Sequence, residues 1–175
     1  IRGAFITLTV VILSGLSGWF IEQLFVFEYL KIPSYITYLI LIFTLASTLA
    51  SKSLKDSSLE ITNVLNNSNS EELINIARQK LSHIVGRDVN TLNKDEILRA
   101  TAESASENAV DGIFAPLFWM MLGSFSWQIA PTLPGPLSFA LMFKASSTID
   151  SMLGYKYGKF RWLGECGARL DDALT

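Results

Sequence analysis

Four charged residues, spaced four apart, define the first candidate site. They are Arg99, Glu103, Glu107 and Asp111, and Asn108 lies beside them. On a helix this spacing puts all four on one stripe. Three carboxylates on one stripe repel unless a cation lies among them, and oxygen-rich sites of this kind hold Mg²⁺, often with nucleotide phosphates. A solvated helix face is the plainer interpretation. The small residues between the acids and the apolar segment that follows favour a site.

A second set of ionisable residues lies nearer the C-terminus. Lys144 follows a long uncharged run, and Asp150 falls on a different helical face from it. An ionisable side chain at membrane depth is a functional candidate, although a lysine near an interface can instead extend its ammonium to water. Arg169 stands beside the paired carboxylates Asp171 and Asp172. A surface turn is the plainer interpretation of this last group.

Several chemistries are excluded by what the sequence lacks. Cys166 and His83 are the only residues of their types, so neither a disulfide nor a zinc site is expected. Residues 154–159 superficially resemble a phosphate loop, but three residues instead of four separate the glycines, and Phe160 replaces the magnesium-binding Ser or Thr. The net charge of −2 and the absence of a basic stripe argue against a nucleic-acid partner.

The composition indicates a membrane protein. Half of the residues are hydrophobic and 17% are charged, against roughly 25% in soluble domains. Residues 4–27 and 32–51 are apolar runs of the length that crosses a bilayer, and they predict a transmembrane hairpin. Gly15 and Gly18 offer a small-residue face for close helix packing.

The rest of the chain divides by polarity. Residues 53–111 are polar and predict a cytoplasmic helical region. One helix there would start at a capping box from Ser68 and end at a left-handed Gly86, and another would start at Asn93.

Residues 112–153 predict a second membrane hairpin or re-entrant pair. The uncharged run 112–143 is too long for one span, and its four prolines, at positions 116, 131, 134 and 136, indicate that it is broken. We predict a helix near residues 113–128 and a return element near residues 136–152. Residues 154–175 predict a cytoplasmic segment.

These predictions give one all-α, polytopic helical membrane domain over residues 1–175, with a cytoplasmic helical loop region. We interpret the chain as a fragment of a longer protein. The placement of Lys and Arg puts Arg2, the 52–111 loop and residues 156–169 on the cytoplasmic side of the cell (inner) membrane.

Four blocks of sequence together resemble one family. They are IVGRD at 84–88, AESASENAVDGIFAPLF at 102–118, KASSTIDSMLGYK at 144–156 and ARLDD at 168–172. Their order and spacing resemble the CobD/CbiB family of cobalamin biosynthesis, the adenosylcobinamide-phosphate synthases. The chain departs from the family pattern at Ser146-Ser147, where Ile-Asn is expected, and at residues 157–160.

The resemblance implies an ATP- and Mg²⁺-dependent ligase. It would join aminopropanol, or its O-phosphate, to a propionate carboxylate of adenosylcobyric acid, and would work in the bilayer in contact with other membrane enzymes of the corrinoid pathway. The implied catalytic residues are Glu103, Glu107, Asn108, Asp111, Lys144 and Asp150. The implied substrate- or phosphate-binding residues are Arg87, Asp88, Lys144, Lys156 and Arg169. The implied metal ligands are Glu103, Glu107, Asp111, Asp171 and Asp172.

Two other functions stay open on the sequence. A non-catalytic membrane sensor of the same superfamily would share the topology, but the retained acidic blocks favour an enzyme. A small-molecule transporter would explain a broken helix with an ionisable residue, but the two halves show no inverted repeat.

Overall fold

The computed structural model describes residues 2–26, 33–49, 52–67, 70–86, 88–153 and 161–175. Every regular element within these ranges is helical, which confirms the all-α prediction. The helices are α1 (Arg2–Val26), α2 (Ser34–Ser47), α3 (Lys52–Asn67), α4 (Glu71–Leu81), α5 (Lys94–Ala109), a π-helical turn (Val110–Phe114), α6 (Ala115–Ile129), α7 (Pro136–Leu153) and α8 (Arg161–Leu174). The chain forms two compact units. One is Ile1–Leu49 with Phe114–Thr175, and the other is Ala50–Ile113.

Helix α7 is the centre of the first unit and packs against α1, α6 and α8. Helix α1 meets it along a small-residue stripe. A Cβ added to Gly18 would lie 2.7 Å from Ser138 Cα, and one added to Gly15 would lie 2.6 Å from Met142 Cγ. The predicted close-packing face of α1 is therefore confirmed, because only residues without a side chain let the two backbones approach this closely.

The turn between α6 and α7 is held by side chains from α1 and α6. Trp19 Nε1 donates to Thr132 O at 2.8 Å, Gln23 Nε2 to Pro131 O at 3.2 Å, and Trp127 Nε1 to Leu133 O at 3.1 Å. The predicted chain break at this proline-rich turn is confirmed.

Pro116 does not break the chain. Pro116 lies within the first two positions of α6, where a missing amide hydrogen costs nothing. The π turn before it keeps the chain helical without interruption from Lys94 to Ile129.

The second unit is a small bundle of α3, α4 and α5 around an aliphatic core. Its buried residues are Ile61, Leu65, Ala77, Leu81, Val89, Ile97 and Ala100. The sequence interpretation missed α3 as a helix. Its apolar residues Ile61 and Leu65 recur at the four-residue spacing that would have indicated it.

The helix ends of this unit confirm one prediction and correct two. Asn93 and Glu96 form the predicted capping box of α5. The N-cap of α4 is Ser70 instead of Ser68. The prediction for Gly86 is wrong, because α4 already ends at Leu81, and Gly86 lies beyond it outside the left-handed region. His83 is exposed just after α4, as expected.

Two helices in the described ranges are long and apolar enough to cross a membrane, by length and composition. They are Gly3–Val26 and Lys94–Ile129, and Tyr35–Ser47 is a shorter apolar helix. The second of these includes α5, which the sequence interpretation had placed wholly in the cytoplasmic region.

Candidate functional site

The acidic face of α5 borders a polar hollow of about 290 Å³ in the second unit. Glu103 and Glu107 lie on its helical wall. The opposite wall is the turn after α4, up to Gly86. The complete lining consists of Ile84, Val85, Gly86, Ala100, Glu103, Ser104, Glu107 and Asn108. The sequence-predicted residues Glu103, Glu107 and Asn108 are thus brought to one concave surface.

Hydrogen bonds from two small polar side chains shape this hollow. Ser104 is 5% exposed, and its Oγ donates to Ile84 O at 3.0 Å, which ties α5 to the turn. Asn108 Nδ2 donates to Ser104 O at 2.8 Å and contacts Ser104 Oγ at 3.4 Å. The amide group of Asn108 is therefore oriented by its own helix. Sequence reasoning had not chosen Ser104, because a serine among acids gives no sign of which carbonyl it will reach.

Asp111 belongs to the π-helical turn and not to α5. A π turn hydrogen-bonds five residues apart instead of four, so the four-residue spacing no longer keeps Asp111 on the stripe of Glu103 and Glu107. Asp111 is half-buried and has a polar partner, but it does not line the hollow. Single π turns inside α-helices occur frequently at functional sites.

The described residues do not gather into the predicted metal site. Within the described ranges, no group of three or more His, Cys, Asp or Glu side chains is close enough to hold a metal ion. Two carboxylates beside a hollow nevertheless fit Mg²⁺, which usually keeps several waters and binds through one or two carboxylates plus substrate phosphates. Glu103 and Glu107 are the pair that fits. The full set of Glu103, Glu107, Asp111, Asp171 and Asp172 stays a prediction.

Two candidate cations, Arg87 and Lys156, lie outside the described residues. Asp88 is exposed just beyond the hollow, and its Oδ1 accepts a hydrogen bond from Asn90 N at 3.0 Å. This bond is an Asx-type contact that stabilises the turn leading into α5.

The other candidates lie in the first unit. Lys144 is half-buried on α7 and borders a mostly apolar groove of about 500 Å³ between α1 and α7, together with Val10 and Ala145. Asp150 is half-buried one turn before the end of α7 and has a polar partner.

Arg169, Asp171 and Asp172 lie in helix α8 and not in a surface turn. Arg169 Nη2 pairs with Glu165 Oε1 at 2.7 Å, on the same face of α8. Asp171 is half-buried and has a polar partner, whereas Asp172 is exposed. The two acidic groups of the prediction therefore belong to different units, and their meeting at one substrate stays a prediction.

Comparison with known proteins decides the family. Residues 1–175, the whole chain, match the family described as CobD/Cbib protein. The chain belongs to this family. The resemblance seen in the four sequence blocks is thereby confirmed, and no solved structure matches the chain.

The curated relatives of this CobD/Cbib chain share one description. It is 40% identical over 173 residues to the cobalamin biosynthesis protein CobD of Synechocystis sp., covering 99% of this chain and 47% of the relative. It is 40% identical over 178 residues to the protein of the same name from Clostridium tetani, covering 99% and 48%. The protein of that name from Pelobacter propionicus is 48% identical over 99 residues. The chain thus spans about half the length of the curated relatives it matches.

Proposed function

We propose that the protein containing this chain is a multi-pass membrane enzyme of cobalamin biosynthesis. It joins aminopropanol, or its O-phosphate, to a propionate carboxylate of adenosylcobyric acid by an amide bond. Membership of the CobD/Cbib family supports the pathway. The observation that carries the site is the polar hollow, where two carboxylates and an oriented amide converge on a space large enough for a small substrate group.

The chemistry explains why such a hollow is needed. A carboxylate is a poor acyl donor, because its charge repels a nucleophile and its oxide is a bad leaving group. ATP, when bound with Mg²⁺, would supply activation. Attack of the propionate oxygen on the γ-phosphorus would release ADP, and the amine would then displace phosphate from the acyl carbon. Phosphoryl transfer depends mostly on positioning and charge stabilisation.

Three residues of the hollow and Asp111 beside it have roles in this proposal. Glu103 and Glu107 would hold the metal–phosphate group, and one of them would take the proton that the amine must lose before it attacks. Asn108 orients a polar group of the substrate through its amide oxygen. Asp111 completes the acidic set from the adjoining π turn.

In the first unit, Lys144 and Arg169 contact anionic groups of the substrates. Asp150, Asp171 and Asp172 form a second acidic group.

Carboxylate-to-amide variants of the full-length protein test this proposal. Glu107→Gln and Asp111→Asn keep side-chain volume and remove charge, so each is expected to lower cobinamide formation in membranes by about 100-fold or more, the loss typical of removing one preorganised electrostatic contact. Glu72→Gln is the control, because Glu72 is an exposed carboxylate on α4 that does not line the hollow. Near-normal product formation in both site variants would remove these residues from the mechanism.

A further inference from the structure

The first turn of α7 receives its hydrogen-bond acceptor from another helix. The first amide N–H groups of a helix have no acceptor within the helix itself. Gly135, the residue before α7, has no side chain that could accept from them. Glu22 of α1 supplies the acceptor instead. Its Oε2 accepts from Gly135 N at 2.8 Å, and its Oε1 accepts from Leu137 N at 2.6 Å and Ser138 N at 3.2 Å. Pro136 has no amide hydrogen, so each amide donor from 135 to 138 bonds to this one carboxyl group.

The cap lies inside the close contact between α1 and α7. Glu22 is 0% exposed and continues the buried stripe of α1 that contains Gly15 and Gly18. Ser138 Oγ donates to Gly15 O at 2.8 Å, and a Cβ on Gly18 would lie 2.7 Å from Ser138 Cα. The start of α7 is therefore held against α1 by hydrogen bonds on one side and by backbone contact on the other.

We propose that Glu22 is a positioning residue that fixes the rotation and axial register of α7 against α1, and through them the placement of Lys144 and Asp150. Helix α7 is unbroken from Pro136 to Leu153, so a rotation or shift of its first turn also displaces Lys144 and Asp150. A slip of one residue would rotate them by about 100° and shift them by about 1.5 Å. This inference rests on the proposed function only in taking Lys144 and Asp150 to act on the substrates.

A carboxyl group suits this role better than the other side chains of its size. In the ionised form its two oxygens accept all three hydrogen bonds without offering a competing donor. A glutamine would place an NH₂ group against at least one backbone N–H, and a buried donor would be left without an acceptor. An aspartate would keep the acceptors but would be one methylene too short to reach all three amides from the same backbone.

The test compares Glu22→Gln, Glu22→Asp and a matched control in the full-length protein. Gln23→Leu is the control, because Gln23 lies in the same turn and makes one bond to the α6–α7 turn without touching the α7 amides. Deuterium exchange of the peptide covering 133–141 is expected to be about tenfold faster or more in both Glu22 variants and much less affected in the control, whose bond is to Pro131 outside this peptide. The kcat of amide formation per folded molecule is expected to fall by about 10- to 100-fold, with a rise in KM because Lys144 contacts the substrates; a misplacement of about 1 Å has an effect of that size.

A register measurement makes the result independent of activity. Val10→Cys and Ala145→Cys border the same groove, and in a Cys166→Ser background they are expected to crosslink with the native glutamate and several-fold less with Glu22→Gln. Unchanged crosslinking or unchanged exchange overturns the inference. So does faster exchange with an unchanged kcat, which would make Glu22 a stabilising cap only. If the native protein forms no amide, the proposed function fails, and the crosslinking and exchange results still decide whether Glu22 sets the register. If Glu22→Gln does not accumulate, the same crosslinking and exchange measurements on Glu22→Asp decide whether Glu22 sets the register.

Discussion

Ser104 illustrates how much of the candidate site depends on a single small side chain. The sequence singled out the acids Glu103 and Glu107 by charge and spacing, and both line the hollow. The hollow, however, is closed on its other side by the turn after α4, and the Ser104–Ile84 hydrogen bond holds that turn in place. No local pattern predicts this bond, because its partners are 20 residues apart.

Replacing Ser104 with alanine should loosen the hollow. The change removes only the hydroxyl group and leaves the Ile84 carbonyl without this donor, so the free energy of unfolding of the second unit is expected to fall by about 1–3 kcal/mol. Denaturant unfolding of the full-length protein, followed by a probe in this unit, measures it. Ser106→Ala is the control, since Ser106 is exposed and bonds only within its own helix. An equal effect of both changes would contradict the role given to Ser104.

A surface ion pair of the same unit makes a prediction about pH. Lys80 Nζ donates to Glu60 Oε2 at 2.7 Å, and this hydrogen bond, followed by the charge attraction, lowers the pKa of Glu60 below its ordinary value of 4.5. Because the pKa is lower in the folded state, the stabilisation by the pair is present above about pH 4.5 and is lost as the pH falls through the folded-state pKa. The pair is solvated, so its contribution is small.

Carboxyl NMR titration of Glu60 checks this direction. Lys80→Gln is expected to return the pKa of Glu60 to its ordinary range, and Lys80→Arg is expected to keep it low because the charge remains. A wild-type Glu60 that titrates with an ordinary pKa would show that the ion pair does not form in solution.

At the scale of elements, the sequence predicted where α5 begins better than it predicted where α4 ends. The Asn93–Glu96 capping box is a local device and was predicted correctly. Gly86 was predicted to end α4, but the helix ends five residues earlier, at Leu81. The hydrogen bonds of the turn from Ser82 to Val85 have no signature in the sequence. Pro116 follows the π turn and lies at a helix start, where proline is tolerated.

Adding one methyl group tests the packing of α1 on α7. Gly18→Ala would bring a Cβ to 2.7 Å from Ser138 Cα, and since backbone cannot give way as a flexible side chain can, we expect a loss of about 1–3 kcal/mol in the free energy of unfolding. Gly86→Ala adds the same methyl group where no atom lies within 4 Å, and should change stability by less than about 0.5 kcal/mol. Thermal unfolding in detergent compares the two variants. A Gly18→Ala protein that is as stable as the native protein would mean that α1 and α7 are further apart.

At the scale of the whole molecule, the proposed membrane topology makes the last prediction. The α1 span Gly3–Val26 is 24 residues long, or about 36 Å, which exceeds a hydrocarbon core of about 30 Å. Thr132 lies beside the C-terminal part of α1 through its bond to Trp19. Residues 53–111, which include the exposed Glu72, are predicted to be cytoplasmic. If α1 crosses the membrane from that side, we expect Thr132 to face the opposite side.

Cysteine labelling of intact cells distinguishes the two sides. In a full-length Cys166→Ser background, Thr132→Cys should react with an impermeant maleimide from outside, and Glu72→Cys should react only after permeabilisation. Asp95→Cys, exposed on α5, should behave as Glu72→Cys does. Labelling of Thr132→Cys and Glu72→Cys from the same side would contradict a crossing by α1 and α6.

The sequence by itself determined the helical class, the apolar segments, the close-packing glycines, the acids of α5 and the family. Each of these depends on residue type and short-range spacing, which a linear sequence carries completely. Only the tertiary structure decided that Glu22 caps α7, that Ser104 closes the hollow and that a π turn removes Asp111 from the stripe of Glu103 and Glu107. The physical reason is that a hydrogen bond is satisfied by whichever group the fold brings within about 3 Å. For Glu22 that group lies more than 100 residues away along the chain.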